Sequence, residues 1–449
     1  MRQDAHGLAV STDSDAAVAA FDRLLTGYLK YRADLPDRMA ALLAADPEWA
    51  LAHCVQGYLT MLAYKQASWP VAAQCASEAR RFAAGATARE RAHIEALEAW
   101  SADDIDRAID VWEAILSEHP HDVLAFRLAH FNNFWLGRPG AMAASAERVL
   151  PRWSAALPGY GSVLACLCFA LEECGMYAAA EPPGRRAVEL DAGDMWAAHA
   201  VAHIMEMQGR RGEGVAWLGA LAPNWEGGNN LQHHLWWHCA LFHLERGDTA
   251  RVLALYDQRF RNLESPLTKA QPDLYIDVQN AASMLFRLQR LGVDVGNRWE
   301  ELADKAEARI GDCASAFTLP HWMMALAAAG RREPAGRMLA AMRAYANGNG
   351  TVAALVRGCA IPVAEAALAH GEGRYADAVE AMRPALGGMY RLGGSHAQQD
   401  VLEQLFLDAA VRAGLEDDVR MILERVAGRR MLPPARWAGW RDAAQQHPV

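Results

Sequence analysis

Apolar residues recur at i, i+3, i+4 and i+7 along most of the chain, in segments dominated by Ala, Leu, Glu, Arg and Met. That spacing marks one face of an α-helix. Runs of β-branched residues are few, and no Asn-Gly turn is flanked by alternating positions, so the pattern predicts helices and almost no sheet. Glycine punctuates the helices. Gly137, Gly175, Gly209, Gly247, Gly292, Gly330, Gly373 and Gly414 each close one helix shortly before the next begins, at intervals of 34 to 45 residues. A helix that ends on a left-handed residue favours glycine there. A drifting period of this size in helix–glycine–helix units is the pattern of an α-solenoid, with tetratricopeptide (TPR) repeats of about 34 residues as the nearest class. The expected fold is all-α: a TPR-like α-solenoid, a right-handed superhelix of helix–turn–helix repeats enclosing a concave pocket.

The segments GRYADAVEAMRPAL (373–386) and DRAIDVWEAILSEHPHDVLAF (106–126) fit the repeat best. Residues 1–449 are expected to form one continuous solenoid. Within it, 1–100 is a divergent helical part, 101–430 carries the repeats, and 431–449 is a tail or cap. The breaks at 261–273 and 346–351 are too short for flexible linkers. The pair Pro182-Pro183 is expected to delay the start of its helix, and the pair Glu172-Glu173 to sit at a solvated helix end.

Composition narrows the function classes. The 449 residues are 52% hydrophobic and 22% charged, with a net charge of −10. An acidic chain without a Lys/Arg block is not built for nucleic acid. No apolar run is read as approaching the roughly 18 residues of a membrane span, and the N-terminal stretch has no apolar signal region. A cytoplasmic protein with no membrane or nucleic-acid partner is expected. The eight cysteines form no CxxC pair, and they read as reduced core thiols.

The chemistry concentrates in two neighbouring segments, DMWAAHAVAHIMEMQG (194–209) and NNLQHHLWWHCALFHLERG (229–247). Six of the 16 histidines fall between 199 and 243. His199 and His203 are one turn apart, and Glu206 continues the same helix face. His234 and His238 repeat the one-turn spacing on the next helix before a turn glycine. Such faces can converge. Imidazole pairs with a carboxylate suit a divalent transition metal, with His199, His203, Glu206, His234 and His238 as its ligands. They suit equally well neutral imidazoles working as general base and acid. Trp236 and Trp237 point about 100° apart on a helix, so one of them belongs to the core and Trp237 offers a stacking face. His233 is expected in a loop or facing solvent.

GGSHAQQD (393–400) is the second singular feature. Ser395 is placed to cap a helix, His396 lies in the first turn and Asp400 one turn later. The free N–H groups of that helix start suit an anionic group. His199, His203, Glu206, His238, His396 and Asp400 form the catalytic set. His234, Trp237, Asp277, His321, Ser395 and Gln398 form the substrate-binding set. No phosphate-binding loop, nucleophile elbow or dinucleotide fingerprint occurs in the chain.

The stretches WAAHAVAHIMEMQGR, HHLWWHCALFHLERGD and GGSHAQQD resemble those of the tetratricopeptide repeat protein 38 family. RAHIEALEAW, YIDVQNAASMLFRLQRLGVDVGNRW and LPHWMMALAAAGR match in order, so the resemblance runs over most of the chain. It implies an all-α superhelical repeat protein and no particular activity. The family pattern usually reads GGSHAQRD, and Gln399 stands in the arginine's place, which puts in question how this turn is held or what it contacts.

These residues leave three functions open. One is an enzyme acting on a small-molecule substrate by acid–base or metal-assisted hydrolase, lyase or isomerase chemistry, and the concentration of titratable groups favours it. The second is a non-catalytic TPR scaffold holding a peptide or protein partner in its groove. The third is a small-molecule or metal sensor. A divalent metal as cofactor and assembly as a homodimer are left open.

Overall fold

The computed structural model describes residues 2–429 and 431–447. Helix follows helix from Asp15 to Gln446. A two-residue antiparallel ladder, Arg2–Gln3 with Ala9–Val10, precedes them. The eight turn glycines all have positive φ, between +64° and +78°. Gly414 shows why: it caps His396–Ala413 in the left-handed conformation, with its N–H on the carbonyls of Ala410 and Val411. A Cβ on Gly414 would meet nothing, whereas one on Gly394, also at positive φ, would stand 2.7 Å from the Phe317 ring. We therefore expect Gly414→Ala to cost about 1 kcal/mol from backbone strain alone. Gly394→Ala should cost clearly more, as read by the shift in urea midpoint.

The helices fall into two compact units, Met1–Val201 with Leu221–Leu231, and Ala202–Ala220 with Gln232–Val449. Neither 261–273 nor 346–351 is the dividing point. Each unit is built of antiparallel helix pairs. In the first, Ala50–Met61 packs on Ser68–Arg81 and Tyr160–Glu173 on Tyr177–Leu190. In the second, Ile361–Gly371 packs on Tyr375–Met382, and Thr318–Ala328 lies against both Tyr275–Arg290 and Ile361–Gly371.

The two members of a pair differ in kind. The helix after the turn glycine is amphipathic: Glu416–Ala427, after Gly414, buries Val419, Ile422, Leu423 and Val426 and exposes the rest or leaves it half-buried. The helix before the glycine is buried on nearly every side. Tyr275–Arg290 is buried from Asp277 through Leu288, and His396–Ala413 from Ala397 through Ala410. A helix covered all round must satisfy any polar side chain it carries inside the protein. This decides the fate of the candidate residues, all of which lie on or beside such helices.

Several local expectations change. Pro182 and Pro183 lie inside the helix Tyr177–Leu190 rather than delaying it. The two lost N–H donors fall in the helix interior, past its first turn, and packing on Tyr160–Glu173 holds it together. Glu172 and Glu173 are buried, not solvated. Seven cysteines are buried as free thiols, but Cys174 is exposed. The segment Thr351–Gly371 has the length and mean hydropathy, 1.7, of a membrane span, contrary to the sequence reading, and 61% of that stretch is buried in the fold as a core helix.

Residues 431–447 close back onto the second unit. Trp437 and Trp440 are buried. The Trp440 indole donates to Asp400 Oδ1 at 2.9 Å, and Arg290 donates to the Gly439 carbonyl, also at 2.9 Å.

Candidate functional site

The helix Leu231–Glu245 carries His233, His234, Trp237 and His238, and Met195–Met207 carries His199, His203 and Glu206. One-turn spacing puts each pair of imidazoles on one face. In the second unit the rings of His203 and His238 stand 4.4 Å apart, centroid to centroid, and those of His234 and His238 4.7 Å. One ring nitrogen from each of the three lies within 4.8 Å of the others. All three are buried, and the Trp237 ring stacks on His234 at 5.1 Å. Trp237 is the core tryptophan of the pair, whereas Trp236 is half-buried under the Arg259 guanidinium.

Their orientation is fixed from outside the cluster. His238 Nδ1 lies 2.9 Å from Glu206 Oε2, and His234 Nδ1 lies 2.9 Å from Asn280 Oδ1. A carboxylate or amide oxygen only accepts, so Nδ1 carries the proton in both rings and Nε2 carries the lone pair. Burial holds His203 and His234 uncharged. It lowers His203 well below the usual histidine range, reinforced by His234 and His396, and it brings His234 down to about 4 against the opposing pull of Asn280 and Asp277.

His199 precedes His203 by one turn, within the first unit, against the rings of Phe169 and Trp196. His233 is buried rather than solvated, with Nδ1 3.0 Å from Asp277 Oδ2. Asp277 therefore holds a histidine of the neighbouring helix. His321 Nδ1 donates to the Phe317 carbonyl at 2.9 Å, and burial brings its ring to about 4. Ser395 caps as expected: its hydroxyl accepts from the Gln398 N–H while the Gln398 side chain accepts from the Ser395 N–H. The other end of Gln398 donates to Gln279. His396 is half-buried in the first turn. Asp400 accepts from Arg287, from Gln404 and from Trp440. Gln399, in the arginine's place, donates through its amide to the carbonyls of Tyr390, Gly393 and Gly394 and so ties down the glycine turn.

The sequence reading missed Asn280, Arg287 and Gln279, which join the helices that the histidines sit on. Arg287 was the available signal, a cation inside the otherwise apolar run SMLFRL. Its guanidinium bonds the Ser283 and Ala397 carbonyls and Asp400, and lies 6.0 Å from the centre of the Trp237 ring. In the first unit the missed residue is Arg127, buried, with bonds to Tyr31 Oη at 2.6 Å and Cys166 Sγ at 2.7 Å.

The expected substrate-sized concave pocket is not seen at these residues. Beside Glu206, Arg287, Asp400 and Gln404, with Trp437 and Gly439 over them, lies a cavity of about 20 Å³. That is room for about one water. The candidate residues form an interior polar network between helices, with metal-ligating and acid–base types at its centre.

No family model matches the sequence. Among solved structures, the chain is similar to that of the human IFIT1 dimer with PPP-AAAA, at 11% identity over 94% of this chain and 96% of that one, with a TM-score of 0.43. It is also similar to yeast Tom70, at 10% identity over 95% and 86% with a TM-score of 0.37. The TPR domain of P58(IPK) matches at 12% identity over 65% and 81%, with a TM-score of 0.21. The fold assignment rests on the chain's own helix pairs and turn glycines: it is an all-α, TPR-like helical-repeat protein.

Proposed function

We propose that this chain is a helical-repeat binding protein that holds a protein or peptide partner, and that it belongs with the tetratricopeptide repeat protein 38 family on the strength of the long motifs around 196–210, 233–248 and 393–400. The observation that carries the binding reading is the use of the candidate catalytic groups. His233, His234, His238, Asp277 and Asp400 are spent on bonds between neighbouring helices, and the cavity that Asp400 lines, of about 20 Å³, has room for about one water. Groups so placed stiffen a repeat stack, and a stiff stack presents its outer surface to a partner.

One observation favours a second reading, an acid–base enzyme with a small-molecule substrate. Three adjacent imidazoles are the residue type that general acid–base catalysis most often uses, with burial making His203 and His234 weaker bases than an ordinary histidine.

Two assays on the full-length protein separate the readings. The first is reconstitution of a stoichiometric complex with a purified captured partner. The second follows metabolites of a cell extract incubated with the protein. The binding reading expects a complex and an unchanged extract. It also expects His238→Ala to lose about 1.5–3 kcal/mol of stability, because Glu206 then keeps a buried carboxylate without its imidazole. A metabolite consumed by the native protein and spared by a His238→Ala variant of unchanged melting temperature overturns it in favour of the enzyme.

A further inference from the structure

We infer that His203, His234 and His238 form a binding site for one late first-row divalent metal ion of the zinc type, set in the core of the second unit. The donor set is three imidazoles on two helices, one ring nitrogen of each within 4.8 Å of the others. Small side-chain rotations close such a set to the roughly 3.3 Å between nitrogens that bonds of about 2.0 Å give in a tetrahedron. The tautomers agree. Glu206 and Asn280 hold the protons of His238 and His234 on Nδ1, so each ring brings an Nε2 lone pair to the same cluster.

The surroundings are those a metal-binding imidazole needs. A carboxylate behind one ligating histidine fixes its ring and raises its basicity, and Glu206 stands in that position to His238. Three imidazoles select zinc, cobalt, nickel or copper over magnesium and calcium, which take oxygen ligands. The site goes beyond the binding reading above and stands whether or not the protein has a partner.

The test uses the full-length chain, purified without a tag, stripped with a chelator and titrated with Co²⁺ and then Zn²⁺. We expect one Co²⁺ per chain with the visible absorption of a tetrahedral nitrogen site, displacement by Zn²⁺, and a rise in the urea midpoint on loading. His203→Ala and His238→Ala should abolish the absorption. Glu206→Gln keeps an oxygen acceptor for His238 Nδ1, so it should fold and bind Co²⁺ roughly tenfold to a hundredfold more weakly. A native chain that takes up neither ion overturns the site. So does Co²⁺ binding that survives His203→Ala or His238→Ala. If those two variants do not fold, unchanged Co²⁺ affinity in Glu206→Gln overturns it.

Discussion

Replacing Arg287 with leucine is expected to destabilise the second unit by about 3–5 kcal/mol. The guanidinium and the Asp400 carboxylate are buried, at 4% and 8% side-chain exposure, and 3.2 Å apart. Removing the cation takes the ion-pair partner from a buried carboxylate that also accepts from Gln404 and Trp440, and strips a donor from the Ala397 carbonyl. Losing both charges is cheaper than losing one, because the surviving partner no longer sits uncompensated. The double variant Arg287→Leu/Asp400→Asn should therefore recover much of the loss. Urea unfolding followed by tryptophan emission reads this directly, since Trp237 and Trp440 border the pair. Losses that add in the double variant would show that the two side chains do not interact.

Acid should weaken the same unit well before its ion pairs fail. An unfolded histidine titrates near 6.5, whereas in the fold His234 and His321 titrate near 4 and His203 lies lower still than an ordinary histidine. Between those limits the unfolded chain binds more protons, so stability rises with pH across the interval. The contribution is fully present above about pH 6.5 and is lost as the pH falls toward 4, at about 3 kcal/mol each for His234 and His321. The groups facing them set the sign: His234 and His396 oppose a charge on His203, and Arg287 opposes one on His321. Asn280 and Asp277 favour a charge on His234 but do not outweigh its burial. Asp408 answers to acid only near pH 2, held there by His370, Arg290 and Arg412. Asp194, in the first unit, is pushed up to about 6 by burial and works the other way, losing stability as pH rises. The urea midpoint should fall from pH 7.5 to pH 5, and His234→Gln and His321→Gln should each flatten that slope. A midpoint that does not move between the two pH values would contradict the neutral buried rings.

The fold was legible because it is written in repeated, local signals. A turn glycine recurs at eight positions, and each has the left-handed backbone that the spacing implied. Apolar periodicity marked the helices, and Ser395 announced a cap that the structure contains, with Gln398, expected to touch a substrate, completing it instead. The site was half legible. One-turn spacing showed that His234 and His238 share a face, as do His199 and His203. It could not show what faces them, because Asn280 and Arg287 come from a helix more than forty residues away. Nor could spacing tell an open face from a covered one. The helices before the glycines looked like the lining of a cavity, but they are packed on nearly every side, and this turned Asp277 and His233 from expected ligand contact and solvent residue into partners. Thr351–Gly371 and Tyr177–Leu190 show the limit from the other direction: apolar length and tandem prolines are local facts whose meaning neighbouring helices decide.

The bonds from Glu206 to His238, from Asn280 to His234 and from Asp277 to His233 each join one repeat to the next. Helix pairs of this chain are therefore not interchangeable modules. In an ideal solenoid a pair can be duplicated, deleted or replaced by a consensus copy, since every junction is alike. Here a consensus pair inserted between Gly209 and Tyr275 would bring a generic face to partners chosen for one another. Natural variation in length should collect in the turns, and shuffled or averaged versions of the central repeats should fail at the junctions rather than within the helices.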